Sequence, residues 1–194
     1  MSASPSLVVF APLAVEAIAL RAGARELRIE RTGMGPKRAR AAARRHDPAS
    51  APALAVAGVC GAIDPALAPG DVFVPAELRT RDGQTWAADA AGLAAALRAR
   101  GIASHTGVLI GCDHLLRRGE RPELLASGVR AVDMESPWLA EAAAGRPFAV
   151  LRVVSDGPGA ELWSPGILRN GWRALAMLRR AAPALVDWAR ERTH

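Results

Sequence analysis

The stretch Ala131-Val-Asp-Met-Glu-Ser136, with Ala149-Val-Leu-Arg-Val-Val-Ser-Asp156 after it, decides how the chain is read. Each begins as an apolar run suited to a buried strand and ends abruptly in carboxylates. Ser136 supplies a helix N-cap and Pro137 suits the first helical position. A helix is therefore predicted through Trp138, Leu139, Ala142 and Ala143 to a stop at Gly145. The result is strand, helix, strand, with Glu135 and Asp156 at the carboxyl ends of adjacent strands. In open α/β sheets ligands bind in that crevice. A carboxylate placed there is either a satisfied structural anion or part of a site.

The rest of the chain repeats this alternation. Leu7 to Phe10 reads as a buried strand, followed by a helix carrying Glu16, Ile18 and Leu20. Glu26 to Arg31 alternates as a strand, Thr32-Gly-Met-Gly-Pro36 is a glycine turn, and Pro36 opens an alanine- and arginine-rich helix ending near His46. Ala53 to Val59 is a continuous apolar strand of the parallel, doubly covered kind. It leads through Gly58-Val-Cys-Gly61 to a turn at Asp64-Pro65. A strand over Asp71 to Pro75, a helix over Ala87 to Arg100 and a strand over His105 to Gly111 follow. Gly166 to Arg190 forms one or two terminal helices, with Pro183 as the expected kink. No repeat or linker interrupts the pattern. The expected fold class is α/β: a single three-layer domain over residues 1–194, a twisted mixed sheet flanked by helices.

With 194 residues, 51% of them hydrophobic, the chain can bury one proper core. Its formal charge of +6 comes from arginines scattered over predicted helix faces. No basic run is interleaved with aromatics, so a nucleic-acid partner is not expected. Cys60 and Cys112 sit in strand-like contexts without metal-ligand or disulfide-framework spacing, and read as buried free thiols. The apolar run from Leu7 to Leu20 has no basic leader, contains Glu16 and is too short to span a bilayer, so a cytoplasmic location is expected.

Taken in order, Leu7 to Glu16, Gly33-Met-Gly35, Ala57-Gly-Val-Cys-Gly-Ala-Ile-Asp-Pro65, Pro69-Gly-Asp-Val-Phe-Val-Pro75, Val132-Asp-Met-Glu135 and Ser155-Asp156 resemble the nucleoside phosphorylase and nucleosidase superfamily. That superfamily includes purine nucleoside phosphorylase, methylthioadenosine/S-adenosylhomocysteine nucleosidase and futalosine hydrolase. The resemblance covers most of the chain. It implies cleavage of an N-glycosidic bond to a purine, without metal or organic cofactor, by an enzyme that is a dimer or larger.

The resemblance also assigns residues. Asp156 matches the aspartate that assists the leaving base at N7, and its place after an apolar strand favours a raised pKa. Glu135 matches the carboxylate that holds the ribose 2′ and 3′ hydroxyls, as an anion facing the positive charge that grows on the sugar. Met134 matches the residue packed beneath the ribose. Ser155, Gly58 of the glycine-rich loop and Leu115, where relatives place a stacking phenylalanine, complete the implied binding set. Glu16, one position out of register, is the candidate for activating water. Without the resemblance Asp156 would read as a turn cap, Glu135 as a first-turn acid and Met134 as core filler. Asp133 and Arg152 read as a structural ion pair between neighbouring strands, and His105 and His114 as surface or capping residues.

Departures from the pattern narrow the expectation. Val56 and Val59 stand where bacterial phosphorylases hold phosphate with arginine and serine, which favours hydrolysis and leaves phosphorolysis open through Arg38 or another arginine. Between Pro75 and His105 the chain is roughly two dozen residues shorter than methylthioadenosine nucleosidases. That leaves the 5′ side of a nucleoside open and suits a bulky 5′ substituent. Leu162, Trp163, Ile167, Leu168 and Trp172 either pack the terminal helix or form an apolar trough that touches a membrane. The compact length and the Asp-Met-Glu-Ser sequence are similar to the hopanoid-associated branch, which implies a lipid-linked substrate, adenosylhopane. The alternatives are a phosphorylase, a methylthioadenosine nucleosidase, a futalosine hydrolase, and a non-catalytic nucleoside- or lipid-binding relative.

Overall fold

The computed structural model describes residues 6–114, 116, 118–156 and 165–193. Strand β1 (Leu7–Ala11) is buried along its whole length because it lies between two parallel partners, β2 (Arg28–Arg31) and β3 (Ala53–Ala62). Between them, α1 (Ala14–Gly23) begins with Glu16 in its first turn, accepting the Leu13 N–H at 2.7 Å. Helix α2 (Pro36–Arg45) starts at a proline preceded by Gly35, whose φ of 92° favours glycine. Then come β4 (Val72–Thr80), β5 (Thr85–Ala87), α3 (Ala90–Ala99), β6 (Ser104–Gly111), α4 (Arg121–Ala126), β7 (Val129–Asp133), α5 (Ser136–Ala140), β8 (Phe148–Asp156) and α6 (Pro165–Thr193).

Helices cover both faces of a mixed sheet. Leu20, Leu93, Leu97, Leu178, Leu185 and Trp188 bring α1, α3 and α6 onto one side. Ala39, Ala42, Trp138 and Leu139 bring α2 and α5 onto the other. This is the expected architecture with one addition. Strand β8 pairs with both β3 and β4, and the order β3-β7-β6-β4 is continuous, so five strands close into a ring. The edge strands β2 and β5 lie outside it.

Several local expectations are corrected. Strands β7 and β8 are not neighbours: β3 lies between them, antiparallel to β7 and parallel to β8. The Arg152–Asp133 pair therefore spans this strand. Ser136 is not the cap of α5, because its hydroxyl is taken by Arg152. Asp133 caps instead, its Oδ1 accepting the N–H groups of Glu135 and Ser136, each at 3.1 Å. Residues 85–87 form a strand where a helix start was expected, and α3 begins at Ala90 because Asp89 accepts the Gly92 N–H. Helix α4 was not foreseen. Finally, α6 is one helix through Pro183. Proline removes the N–H that the Arg179 carbonyl would accept. A Cβ on Gly23 of α1 would fall directly on that oxygen and 2.9 Å from the Ala182 Cβ, so a glycine there lets α1 pack closely on the kink-prone turn.

Candidate active site

The carboxyl ends of β3, β7 and β8 meet at Gly61, which pairs with Val132 on one side and Asp156 on the other. The register shift between Cys60 and Gly61 carries the β8 partner from Val154 to Asp156. A cavity of about 200 Å³ opens there, lined by Glu16, Met34, Met134, Glu135, Ser155 and Asp156 together with Val59, Gly61, His114 and Arg121. The two acids that the sequence placed on separate strand ends thus share one hollow.

On one wall three buried carboxylates surround one guanidinium. Arg152 is fully buried, with Nη2 2.5 Å from Asp133 Oδ2 and 4.0 Å from Glu135 Oε2. Its Nε and Nη2 also donate to the Ser136 hydroxyl at 3.2 and 2.8 Å. Glu16, also buried, accepts the Val59 N–H at 2.8 Å through Oε1, joining α1 to β3. Gly58 lies behind this wall rather than on it. A Cβ there would come within 2.6 Å of Arg152 Nη1 and closer still to Glu16 Oε1, so only glycine lets both groups approach β3.

Charge balance at this wall sets the protonation states. Burial raises the pKa of Glu16 despite the nearby Arg152 cation and two backbone hydrogen bonds. Burial, followed by the charge of Asp133, pushes Glu135 up to about 7, against the opposing pull of Arg152 and the Gly35 N–H, donated at 2.8 Å. An always-ionised Glu135 was expected. Lying two residues beyond the strand-ending Asp133, it competes for the same guanidinium, and its raised pKa brings its titration close to neutrality.

Asp156 faces them from β8, partly exposed. Burial raises its pKa, as expected, and the Ser155 hydroxyl and Arg121 oppose the rise. The Ser155 hydroxyl donates either to Asp156 Oδ1 at 3.1 Å or to the Cys60 carbonyl at 3.2 Å. Arg121 Nη2 lies 3.9 Å from Asp156 Oδ2. Cys60 is a free thiol on the cavity wall, and burial pushes its pKa well up, which makes it a poor nucleophile.

The structure therefore brings together Glu16, Met134, Glu135, Ser155 and Asp156, with Gly58 supporting them from behind. Leu115 lies outside the described residues, as do Leu162 and Trp163. Trp172 is exposed on α6. Arg38 donates to the Met34 carbonyl and does not line the cavity. Sequence reasoning missed Arg121 and the placing of His114 on the cavity wall. Both sit in a polar stretch with no periodicity to flag them. It also treated Arg152 as purely structural. Among the described residues no group of three or more His, Cys, Asp or Glu could hold a metal ion, and no helix is long and apolar enough to cross a membrane.

A mixed sheet between helices, with facing carboxylates just beyond β7 and at the end of β8, is the frame in which a sequence match to the phosphorylase superfamily makes the chain an enzyme of the nucleosidase or nucleoside phosphorylase class, acting at N-glycosidic bonds. The chain belongs to the phosphorylase superfamily, whose family model matches residues 10–171. No curated protein matches the sequence. Its fold is similar to that of 5′-methylthioadenosine/S-adenosyl homocysteine nucleosidase from Campylobacter jejuni, at 14% identity and a TM-score of 0.81 over 96% of this chain and 99% of that one. A futalosine hydrolase mutant of Helicobacter pylori is similar at 15% identity and a TM-score of 0.80, covering 93% and 98%. The Neisseria meningitidis methylthioadenosine/S-adenosylhomocysteine nucleosidase, in complex with methylthio-immucillin-A, is similar at 20% identity and a TM-score of 0.80, covering 94% and 98%.

Proposed function

We propose that the chain hydrolyses the N-glycosidic bond of a purine nucleoside bearing a large 5′ substituent, with adenine as the base that the resemblance implies. The observation that carries this reading is the cluster of three buried carboxyl groups around the one guanidinium of Arg152, whose ionisation is eased when positive charge arrives beside them. Such a wall stabilises positive charge arriving on a bound sugar, and glycosidic cleavage develops that charge at C1′. Asp156 gives its proton to N7 as the C1′–N9 bond breaks and its electron pair leaves with the base. Glu16 takes a proton from the water whose oxygen bonds to C1′. The base departs neutral and the sugar gains a hydroxyl, so one water is consumed. Glu135 accepts the ribose hydroxyls, and Met134 packs against the ring.

Two observations support the finer points. The Val59 N–H and the Arg152 guanidinium, the groups on this wall that could hold phosphate, are already matched by Glu16 and Asp133. That favours water over phosphate as acceptor. No described residue from 62 to 113 lines the cavity, because the segment between β4 and β6 forms only β5 and α3, and α3 packs on α6. The 5′ side is thereby left open, and adenosylhopane is the lipid-linked candidate. A membrane contact and a homodimer remain part of this proposal.

The test is release of free adenine from a panel of 5′-substituted adenosines, adenosylhopane included, with and without phosphate. Release without phosphate is expected, and Asp156→Asn should lower kcat by about 10²- to 10⁴-fold. Strict phosphate dependence would replace hydrolysis by phosphorolysis. Binding without turnover, indifferent to Asp156→Asn, would make the chain a non-catalytic relative.

A further inference from the structure

We infer that helix α2 is a docking face for an anionic membrane surface, with the cavity mouth at one end of the contact. This gives the membrane contact of the proposed function a place and a lipid charge, and it rests on that reading for its purpose alone. Five of the ten residues of α2 are cationic, Lys37, Arg38, Arg40, Arg44 and Arg45, and none is acidic. All five are exposed, while Ala39, Ala42 and Ala43 turn into the core. At about 100° per residue the five fall within an arc of about 160°. Among the described residues no carboxylate pairs with any of them. Arg38 reaches the Met34 carbonyl, and Arg40 lies over the Trp138 ring, 5.3 Å from its centroid. The nearest acids in sequence are occupied, Glu30 by Arg28 and His46, and Asp47 by the Ala49 N–H. On α6, by contrast, the arginines are spread over 29 residues with Asp187 and Glu191 among them.

Unneutralised cations on one face of an amphipathic helix complement a surface of lipid phosphates. The row begins at the site. Gly35, just ahead of α2, donates its N–H to Glu135 Oε1 at 2.8 Å, and Met34, 53% exposed, lines the cavity. An apolar side chain beside a basic row enters the lipid boundary while the cations stay at the headgroups. Trp138, the aromatic ring against this face, is buried beneath Arg40 and offers no plane on which a base could stack. Lipid therefore fits the face better than nucleic acid does. A bilayer lying along α2 borders the opening, so a nucleoside whose 5′ chain is anchored in lipid reaches the cavity without leaving the surface.

The test is co-sedimentation of the full chain with phosphatidylcholine vesicles, with and without roughly one-third phosphatidylglycerol, at about 0.1 M salt. The wild-type protein should sediment with the anionic vesicles only, and should leave them at about 0.5 M salt. At about fivefold in affinity per cation, Lys37→Gln/Arg44→Gln/Arg45→Gln should bind about 10²-fold more weakly. Arg169→Gln/Arg179→Gln/Arg190→Gln removes the same charge from α6, across the sheet, and should stay within about threefold of wild type. A polarity-sensitive dye on Met34→Cys should shift to the blue with anionic vesicles, Cys60 and Cys112 being buried. No sedimentation with anionic vesicles, equal binding to neutral ones, or equal losses in the two triple variants would each overturn the inference. So would an unshifted dye, or displacement from the vesicles by duplex DNA at equal phosphate concentration. No substrate enters the assay, so failure of docking leaves the glycosidic reading standing, and absence of cleavage leaves docking standing.

Discussion

Replacing Glu135 by glutamine should stabilise the protein at alkaline pH while disabling it. The carboxyl has an ordinary pKa of 4.5 when exposed and about 7 in the fold, driven up by burial and by the charge of Asp133. A carboxyl whose folded pKa is raised contributes most to stability below its unfolded pKa. That contribution is lost as pH climbs through the folded one. At about 1.4 kcal/mol per pH decade, ionising Glu135 inside the fold costs on the order of 3 kcal/mol by pH 8, and little of this has accrued by pH 5. Glutamine avoids the cost and keeps an oxygen for the Gly35 N–H, donated at 2.8 Å in the native protein. Urea unfolding of both proteins at pH 5 and pH 8 measures the effect as a difference of differences. The variant should gain about 2–3 kcal/mol over wild type between the two pH values, with nucleoside cleavage strongly reduced. Equal stability differences at both pH values would refute the assignment of Glu135 as the group held protonated.

Other substitutions probe the same wall and its supports. Gly58→Ala would place a methyl against Glu16 and Arg152. It should cost about 1–3 kcal/mol by overpacking and lower kcat more than it raises KM, as steady-state kinetics and a urea melt would report. Arg152→Met leaves Asp133 and Glu135 without their buried cation. It should cost about 3–5 kcal/mol, partly recovered in an Asp133→Asn/Arg152→Met double variant. Gly23→Ala strikes the Arg179 carbonyl where α1 crosses α6. Calorimetry should find a lower melting temperature, with turnover below that temperature unaffected.

The elements that hold the site were legible because each is an apolar run punctuated by an acid, a glycine or a proline. Period and punctuation placed β1, β3, β7 and β8, and the order of the motifs placed Glu135 and Asp156 at strand ends. Pairing was not legible. Nothing in the alternation of Val129 to Asp133 says that its partner is β3 rather than β8, and ring closure depends on contacts between strands far apart in sequence. The protonation of Glu135 was misjudged for a related reason. Its pKa answers to Asp133, Arg152 and Glu16, which reach it from three separate elements. Arg121 escaped notice because a single arginine in a polar stretch has no pattern until α4 carries it to the cavity.

Strand β3 does two jobs along its length. Its first half is hydrogen-bonded to β1 and so belongs to the open part of the sheet, while its last residues join β7 in the ring, with β8 alongside both halves. The amide that receives Glu16, the glycine that makes room for Arg152 and the glycine beside Asp156 all sit on that second half. A one-residue insertion in Ala53–Ala57, ahead of Gly58, would slide all three away from their partners together. The same insertion in the Gly83 turn between β4 and β5 would disturb none of them. The length of the β4–β5 turn is therefore free to drift, whereas that of β3 is the ruler against which the whole carboxylate wall is measured.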